Sequence, residues 1–342
     1  RPARKLIRHS GGLSTKTTAL LALFSRLLVL PCDYTNSLCA GGAGDIMHKL
    51  LFSALLLAGF NAQLQAQESS NTHAVALPEM VVTATRTETA RNQLAAGTTV
   101  YTRADIDRLQ VKTFPDLLRG TIGIDMTQQG GDGKTTSVFM RGTNSEHVLV
   151  LIDGIKVGSA TSGTSPFEFI PIDQVERVEI IRGPQSSLYG SEAIGGVIQI
   201  FTRKGSDSKS PKVTLDAGGG NYGTLKSSGT ISGKWQNSWY SFGASHYNTQ
   251  GFSAQRPVPG PFGYNQPDHD RYYNTAVNAR VGHRFDNNAE IDASFMRSEG
   301  KTRYDGTFQD ETKFINQVAA LSGSMDVLDN WRSTLRLGQS FD

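Results

Sequence analysis

Strict alternation of apolar and polar residues dominates the chain after Lys204. In residues 289–295 the odd positions carry Ala, Ile, Ala and Phe, and the even positions carry Glu, Asp and Ser. Residues 273–285 and 331–341 alternate in the same way, with their Arg residues confined to one face. A period of two predicts β-strands that have one apolar and one polar face. About seven such strands are predicted between residues 212 and 341.

A soluble β-sandwich and a transmembrane β-barrel both alternate in this way, and the placement of charged and aromatic residues separates them. A barrel must keep charges off its lipid face, since Arg or Lys there costs about 2–4 kcal/mol at the midplane. It also places aromatic side chains at the two membrane interfaces. The aromatic residues near predicted strand ends are Trp235, Trp239, Tyr240, Tyr272, Tyr273 and Trp331. These features favour an antiparallel transmembrane β-barrel over a soluble exported adhesin or sugar-binding module.

Residues 98–204 have a mixed α/β pattern instead. A run of five apolar residues predicts a buried strand that ends in the turn Asp153-Gly154. The predicted elements are helices at 105–109 and 114–119 and strands at 148–152, 178–181 and 196–200. The two helices carry early acids and late bases, which suits the helix dipole. We therefore predict an α/β domain over 91–204, followed by the N-terminal part of a barrel over 205–342.

The region that begins at Met47 has the layout of an export signal. A short basic start, an apolar run over 50–60 and small residues ending near Ala66 predict a secretory signal peptide at 47–66. The apolar run is eleven residues long, too short to span a bilayer as a helix.

Residues 1–46 precede that signal, and we expect them to be an upstream extension that the mature protein lacks. Both cysteines lie in this extension, at Cys32 and Cys39, so the exported chain is expected to have neither a disulfide nor a thiolate metal site. Seven of the 34 Lys and Arg residues, but only two of the 31 Asp and Glu residues, lie in residues 1–66. The remaining chain is thus slightly acidic, and no nucleic-acid partner is expected.

Residues 67–90 are polar apart from one short apolar insert around Val81. With no evident partner strand nearby, this pattern predicts a periplasmic leader that carries an extended recognition element. The alternative is an edge strand of the α/β domain that follows.

Several motifs in a fixed order resemble TonB-dependent outer-membrane receptors. Residues 175–184 read VERVEIIRGP, residues 193–198 read AIGGVI, and residues 139–142 read FMRG. The leader run resembles a TonB box, which consists here of Pro78, Glu79, Met80, Val81, Val82, Thr83 and Ala84. Within that family, residues 123–147 resemble the cobalamin (vitamin B12) transporters. The resemblance covers residues 78–342.

The resemblance implies a plug domain inside the barrel and TonB-dependent active transport of cobalamin across the outer membrane of a Gram-negative bacterium. It implies three partners, namely the TonB protein of the inner-membrane energising complex, cobalamin and outer-membrane lipid. A siderophore or haem receptor is the alternative. Barrels with a plugged lumen need about 22 strands, so we expect the chain to be part of a longer receptor.

The resemblance also implies substrate contacts in two plug loops, at Thr135, Ser137, Asn144, Thr161 and Ser162. Hydroxyl and amide groups suit a large ligand fringed with amides. Thr135 replaces an apolar residue that the family pattern leads one to expect. Ser and Thr in Gly-rich loops are otherwise ordinary turn residues.

A second implied site is a calcium site that orders the ligand-binding loops, formed by Gln266, Asp268, Asp270, Tyr304, Asp305 and Asp310. Oxygen ligands at alternate positions can converge on one hard cation. The loop is not an EF-hand, because Arg271 and Tyr272 stand where a glycine is required. Ser253 replaces an acid of the family pattern, which predicts fewer ions or weaker binding. Acids at hairpin tips are otherwise commonly just solvated.

No motif supports an enzyme. Gly133-Lys134-Thr135 lacks the first glycine of a phosphate loop, and no helix pattern follows it. The His residues are scattered without the spacing of a catalytic zinc site, and no Gly-x-Ser-x-Gly motif occurs. We predict a transporter without a catalytic site.

Overall fold

The computed structural model describes residues 80–81, 86, 89–159, 161–205, 210–258, 260, 268–306, 309–328 and 330–342. In this part of the chain, no helix combines the length and the apolar character that a membrane span requires. The predicted upstream extension at 1–46, the predicted signal peptide at 47–66 and parts of two predicted sites lie outside the described residues. Those site residues are Pro78, Glu79, Val82, Thr83, Ala84 and Gln266.

The first half of the described chain holds the α/β domain. Its strands are β1 (Met80–Val81), β2 (Thr89–Ala90), β3 (Gly97–Thr102), β4 (Ile124–Gln128), β5 (Thr136–Met140), β6 (Val148–Ile152), β7 (Ile155–Val157), β8 (Val175–Arg182) and β9 (Gly196–Thr202). Its helices are α1 (Arg103–Leu109), α2 (Phe114–Arg119) and α3 (Ser186–Tyr189), with 3-10 turns at Arg91–Gln93, Ser145–His147, Phe167–Phe169 and Ile172–Gln174. Every strand and helix predicted over 91–204 is present.

Strands β3, β8, β9, β6 and β7 form one five-stranded sheet in that order. Strands β6 and β9 are parallel, and the other pairs are antiparallel. All five residues of β6 are buried, as its apolar run predicts. Both residues of the following turn have positive φ, 47° at Asp153 and 83° at Gly154, as a tight hairpin turn requires. Strands β4 and β5 form a separate hairpin.

Helices α1 and α2 begin at matching capping boxes. The hydroxyl of Thr102 accepts from the backbone N–H of Asp105, whose carboxylate accepts in return from Thr102. Thr113 and Asp116 repeat the arrangement at α2. These reciprocal bonds satisfy N–H groups that the first turn leaves unpaired, so sequence alone sets where each helix begins.

The second half of the described chain is one antiparallel sheet of seven strands in sequence order. They are β10 (Lys212–Gly220), β11 (Thr224–Trp235), β12 (Ser238–Thr249), β13 (Tyr272–Arg284), β14 (Glu290–Arg303), β15 (Glu311–Leu328) and β16 (Trp331–Phe341). This confirms the predicted number of strands and the fold class, a mixed α/β plug with part of an antiparallel barrel.

The two faces of this sheet are inverted relative to a soluble protein. On β13 the polar residues Asn274 and Asn278 are buried, whereas Val277 and Val281 on the other face are exposed. On β14, Ser298 is likewise fully buried. An apolar face turned outward and a polar face turned inward is the pattern of a lipid-facing barrel wall.

The plug packs directly against this polar inner wall. The backbone carbonyl of Phe169 accepts hydrogen bonds from Asn274 at 3.0 Å and from Ser298 at 2.9 Å. The Phe169 ring stacks on Phe314 of β15 with ring centroids 3.7 Å apart. Met296 of β14 belongs to the same buried apolar cluster as the plug core. The inner wall and the plug therefore share one core.

The leader differs from its prediction. Met80 pairs with Ala90 and Val81 with Thr89, so β1 and β2 form a short antiparallel ladder, and Val81 is fully buried. The expectation of a recognition element without a partner strand was wrong for these residues. The partner lies only eight residues downstream of Val81, at Thr89, and its polar sequence gives no strand signal.

A second plug–barrel contact is a buried ion network around Arg280 of β13. Its guanidinium lies 3.2 Å from Asp153 in the plug turn and 2.9 Å from Asp292 on β14. Asp153 also accepts from the backbone N–H of Thr202 at 3.0 Å. Removing the arginine would leave two largely buried carboxylates without their shared counter-charge.

We predict that Arg280→Met lowers the free energy of unfolding by about 3 kcal/mol, because it strands two buried charges. Arg284→Met is the matched control, since Arg284 lies exposed at the end of the same strand and pairs with Glu290. Denaturant unfolding of the detergent-solubilised full-length protein measures both variants. Equal losses in the two variants would contradict a structural role for the buried network.

Candidate functional site

A cavity of about 650 Å³ lies between the loop that joins β4 to β5 and the ends of the barrel strands. The plug and the barrel both contribute to its lining, which consists of Gln129, Gly130, Gly133, Lys134, Thr135, Glu168, Phe169, Ala254, Gln255, Asp270, Thr302, Tyr304, Asp305 and Thr312. Most of these side chains carry a hydroxyl, an amide or a charge. The cavity is therefore suited to a ligand with many polar groups.

Close packing between the plug loop and β13 forms one wall of this cavity. Gly133 has a φ of 74°, and a Cβ placed there would lie 2.0 Å from the ring of Tyr272. Only glycine permits this approach. The next contact is a 2.5 Å hydrogen bond from the Tyr247 hydroxyl on β12 to Asp132. The loop is thereby fixed against two barrel strands.

Three acids of the predicted calcium site come together beside the cavity. Carboxylate oxygens of Asp268, Asp270 and Asp305 all lie within 4.8 Å of one another. One oxygen of Asp270, Oδ1, is buried without a hydrogen-bond partner. Burial raises the pKa of Asp270, while the backbone N–H of Ala254 opposes that shift. A buried carboxylate oxygen without a donor is the kind of ligand that a calcium ion takes.

The same acids hold the loop that follows β12. Asp270 Oδ2 accepts from the backbone N–H of Ala254 at 3.0 Å, and Asp305 Oδ2 accepts from that of Gln255 at 2.8 Å. Ser253, which stands where an acid was expected, directs its hydroxyl to the carbonyl of Gln255 at 3.3 Å. The acidic cluster thus joins two loops of the barrel, the one between β12 and β13 and the one between β14 and β15.

The remaining predicted metal ligands are placed differently. Tyr304 lines the cavity, and its hydroxyl bonds the Thr312 hydroxyl at 3.0 Å. Asp310 is exposed, and its backbone carbonyl accepts from the Tyr304 N–H at 2.8 Å. Among the described residues the acidic cluster holds only the other three acids, so Asp310 supports the loop through its backbone. Gln266 lies outside the described residues.

Of the five predicted substrate contacts, Thr135 lies in the cavity wall. Ser137 follows it two residues along β5 and is partly exposed. Asn144, Thr161 and Ser162 are exposed and lie on two loops that touch each other, since a Cβ at Gly163 would lie 3.3 Å from Glu146. These three residues are not in the described cavity lining. The structure therefore separates the five predicted substrate contacts into two groups.

Two charged residues of the cavity were missed by sequence reasoning. Lys134 is 3% exposed, and burial lowers the pKa of its ammonium, against the opposing effect of Asp270, Asp132 and Asp305. Glu168 accepts from the backbone N–H of Thr136 at 3.3 Å. The only sequence signal was the charged Asp132-Gly133-Lys134 stretch in a loop otherwise rich in Gly.

Glu168 has a strongly shifted ionisation. Burial raises the pKa of Glu168 to about 7, although its own backbone N–H and that of Thr136 favour the charged form. The carboxyl group therefore changes charge near neutral pH inside the cavity wall.

Comparison with known proteins gives a family match for the plug domain and a fold match for the larger part of the chain. Residues 90–197 match the family described as TonB-dependent Receptor Plug Domain. The vitamin B12 transporter BtuB of Photobacterium profundum is 35% identical over 271 residues, which are 78% of this chain and 42% of the relative. BtuB of Vibrio cholerae is 38% identical over 264 residues, which are 75% of this chain and 42% of the relative. The chain thus spans less than half the length of these relatives.

Among solved structures, the siderophore receptor PirA of Acinetobacter baumannii matches with a TM-score of 0.58 at 20% identity. The match covers 71% of this chain and 39% of PirA. At that identity the likeness concerns the fold alone. It confirms that the plug and the seven-stranded sheet have the architecture of receptors of this kind.

We predict that Glu168→Gln makes the protein more stable relative to wild type as the pH rises from about 4.5 to about 7. In this window the folded protein keeps a proton on Glu168 that the unfolded chain releases, so wild-type stability falls as pH rises. The difference should reach about 1–2 kcal/mol, less than the full pKa shift implies because Glu168 is only partly buried.

Thermal unfolding in detergent between pH 4.5 and 8 measures this difference. Glu192→Gln is the control, because Glu192 lies on the plug surface beside Lys156. A Glu168→Gln difference that stays constant with pH would contradict the proposed ionisation.

Proposed function

We propose that the full-length protein takes up cobalamin across the outer membrane. The plug domain of the chain matches that of TonB-dependent receptors, which are transporters and not enzymes. The observation that carries the proposal is the polar cavity shared by plug and barrel, in a chain whose curated relatives are vitamin B12 transporters. The siderophore receptor PirA shares its fold with the chain at 20% identity, and a likeness at that level carries no information about the ligand.

The chemistry of the cavity supports a large neutral ligand edged with amides. Thr135, Thr302 and Thr312 offer hydroxyl groups, and Gln129 and Gln255 offer amides. Each of these groups can both donate and accept, which matches amide side chains that do the same. Among the described lining residues Lys134 is the only cation, so the protein offers an anionic ferric siderophore a single positive charge.

Calcium is the proposed structural cofactor. The unpartnered oxygen of Asp270 and the convergence of Asp268 and Asp305 fit a hard cation with oxygen ligands. An ion there would strengthen the link between the loops that the cluster already joins. The protein's own residues hold the two loops in place, and the ion would neutralise the negative charge of the cluster.

Energy for uptake is proposed to arrive through the leader around Val81. A partner that adds a strand to this segment needs its backbone N–H and C=O groups free. In the structure those groups face Thr89 in the β1–β2 ladder. Two residue pairs hold this ladder among the described residues, and so short a ladder costs little to exchange for a TonB strand.

The deciding experiment measures binding and uptake of radiolabelled cobalamin by cells that express the full-length protein. Binding that unlabelled cobalamin displaces, and that ferric siderophores and haem leave unchanged, supports the proposal. Displacement by a ferric siderophore or by haem instead would assign the protein to the alternative ligand class.

We predict that Val81→Pro abolishes cobalamin uptake while binding to whole cells stays at the wild-type level. Proline removes the backbone N–H that strand pairing requires. Val81→Ile keeps that group and the extended backbone, so uptake should be retained. Loss of binding together with uptake in Val81→Pro would place its effect in folding rather than in energy coupling.

We predict that Asp268→Asn weakens calcium binding about tenfold, because one charge leaves a cluster of three. Asp268 is a cleaner position than Asp270, whose carboxylate also holds Ala254. Calorimetric titration of the purified receptor measures the change, with Asp286→Asn at an exposed hairpin tip as the control. Unchanged calcium affinity in Asp268→Asn would remove that residue from the site.

A further inference from the structure

A buried lysine of the plug lies in the wall of the same cavity as two acids of the cluster. The ammonium of Lys134 donates to the backbone carbonyl of Asp270 at 3.1 Å and to the Thr302 hydroxyl at 3.1 Å. A longer contact of 3.3 Å reaches the backbone carbonyl of Asp132 in its own loop. One side chain therefore joins the plug loop to the start of β13 and the end of β14.

Its charge matters as much as its hydrogen bonds. Of the described residues that line the cavity, Lys134 is the only cation, whereas Glu168, Asp270 and Asp305 are acids. Asp270 is 2% exposed and keeps one carboxylate oxygen without a donor. Buried like charges repel strongly unless a positive charge lies near them. The lysine supplies such a charge, and it donates to the backbone carbonyl of Asp270 itself.

We propose that Lys134 is a resident cation of the acidic cluster, and that it holds the two barrel loops against the plug without requiring a divalent metal. A calcium ion that enters the cluster has to share the cavity with this fixed positive charge. Calcium therefore binds more weakly than it would to the acids alone, and the loops stay ordered in its absence. The inference rests on the proposed calcium site, and its test does not depend on cobalamin.

The test compares wild type with Lys134→Gln and Lys134→Arg in the purified full-length receptor. Glutamine keeps a hydrogen-bond donor and removes the charge, whereas arginine keeps the charge. Lys156→Gln is the matched control, because Lys156 is an exposed plug lysine that pairs with Glu192. Unchanged heat-modifiable mobility on gels shows that each variant is folded.

Calcium affinity is read by calorimetry, and loop order by the rate of chymotrypsin cleavage after the exposed Phe252, which precedes Ser253 in the loop held by the acids. In Lys134→Gln we expect calcium to bind about tenfold more tightly than in wild type. In the presence of a chelator this variant should be cleaved several times faster, and calcium should restore protection. Lys134→Arg and Lys156→Gln should behave like wild type in both assays.

Equal calcium affinity in wild type and Lys134→Gln overturns the proposal, as does equal cleavage of the two in chelator. Wild-type loops that become protected only when calcium is added overturn it as well. Cobalamin binding is measured in parallel on the same samples. Its absence from wild type would refute the proposed ligand while leaving the comparison of calcium affinity and loop order intact.

Discussion

The polar inner face of the seven-stranded sheet needs hydrogen-bond partners, and the rest of the structure depends on how the plug provides them. Asn274 and Ser298 are buried on that face and donate to a single plug carbonyl, that of Phe169. Arg280 finds its counter-charge in Asp153 of the plug. An inner wall of this kind would be costly to bury against an apolar domain. The polar inner face therefore requires a plug whose own surface is polar.

This requirement also explains why the candidate site lies where it does. The segment that ends in Phe169 runs along the inner wall, and it carries Glu168 into the cavity beside the β4–β5 loop. Tyr272, at the start of β13, donates to the Glu168 carbonyl and packs against Gly133. The contacts that hold the plug in place are thus the ones that build the cavity wall. A change in the position of the plug would change the cavity directly.

Local rules in the sequence predicted the elements well. Period-two alternation with sorted charges predicted the seven strands, and the pairs Thr102–Asp105 and Thr113–Asp116 mark helix starts through bonds that span three residues. The site was predictable only as far as the family resemblance reached. The contact between Lys134 and Asp270 joins residues 136 positions apart, and nothing local distinguishes a buried lysine from a solvated one. The β1–β2 ladder was missed for the opposite reason, since a pairing of two residues leaves no periodic pattern.

The order of the plug sheet has a consequence for any force that acts on the leader. Strand β3 follows the β1–β2 ladder in the chain and occupies the edge of the sheet, where it pairs with β8 alone. A pull from the N-terminal side reaches the two pairs of the ladder first, then the pair Gly97–Arg182 at the near end of β3. Pairs at the end of an edge strand separate one at a time, whereas β6, β8 and β9 hold the centre of the sheet. The contacts of Phe169 and Asp153 with the barrel belong to segments beyond this edge. The least stable contacts are therefore those nearest the leader, and they can open while the buried core of the plug stays attached to the wall.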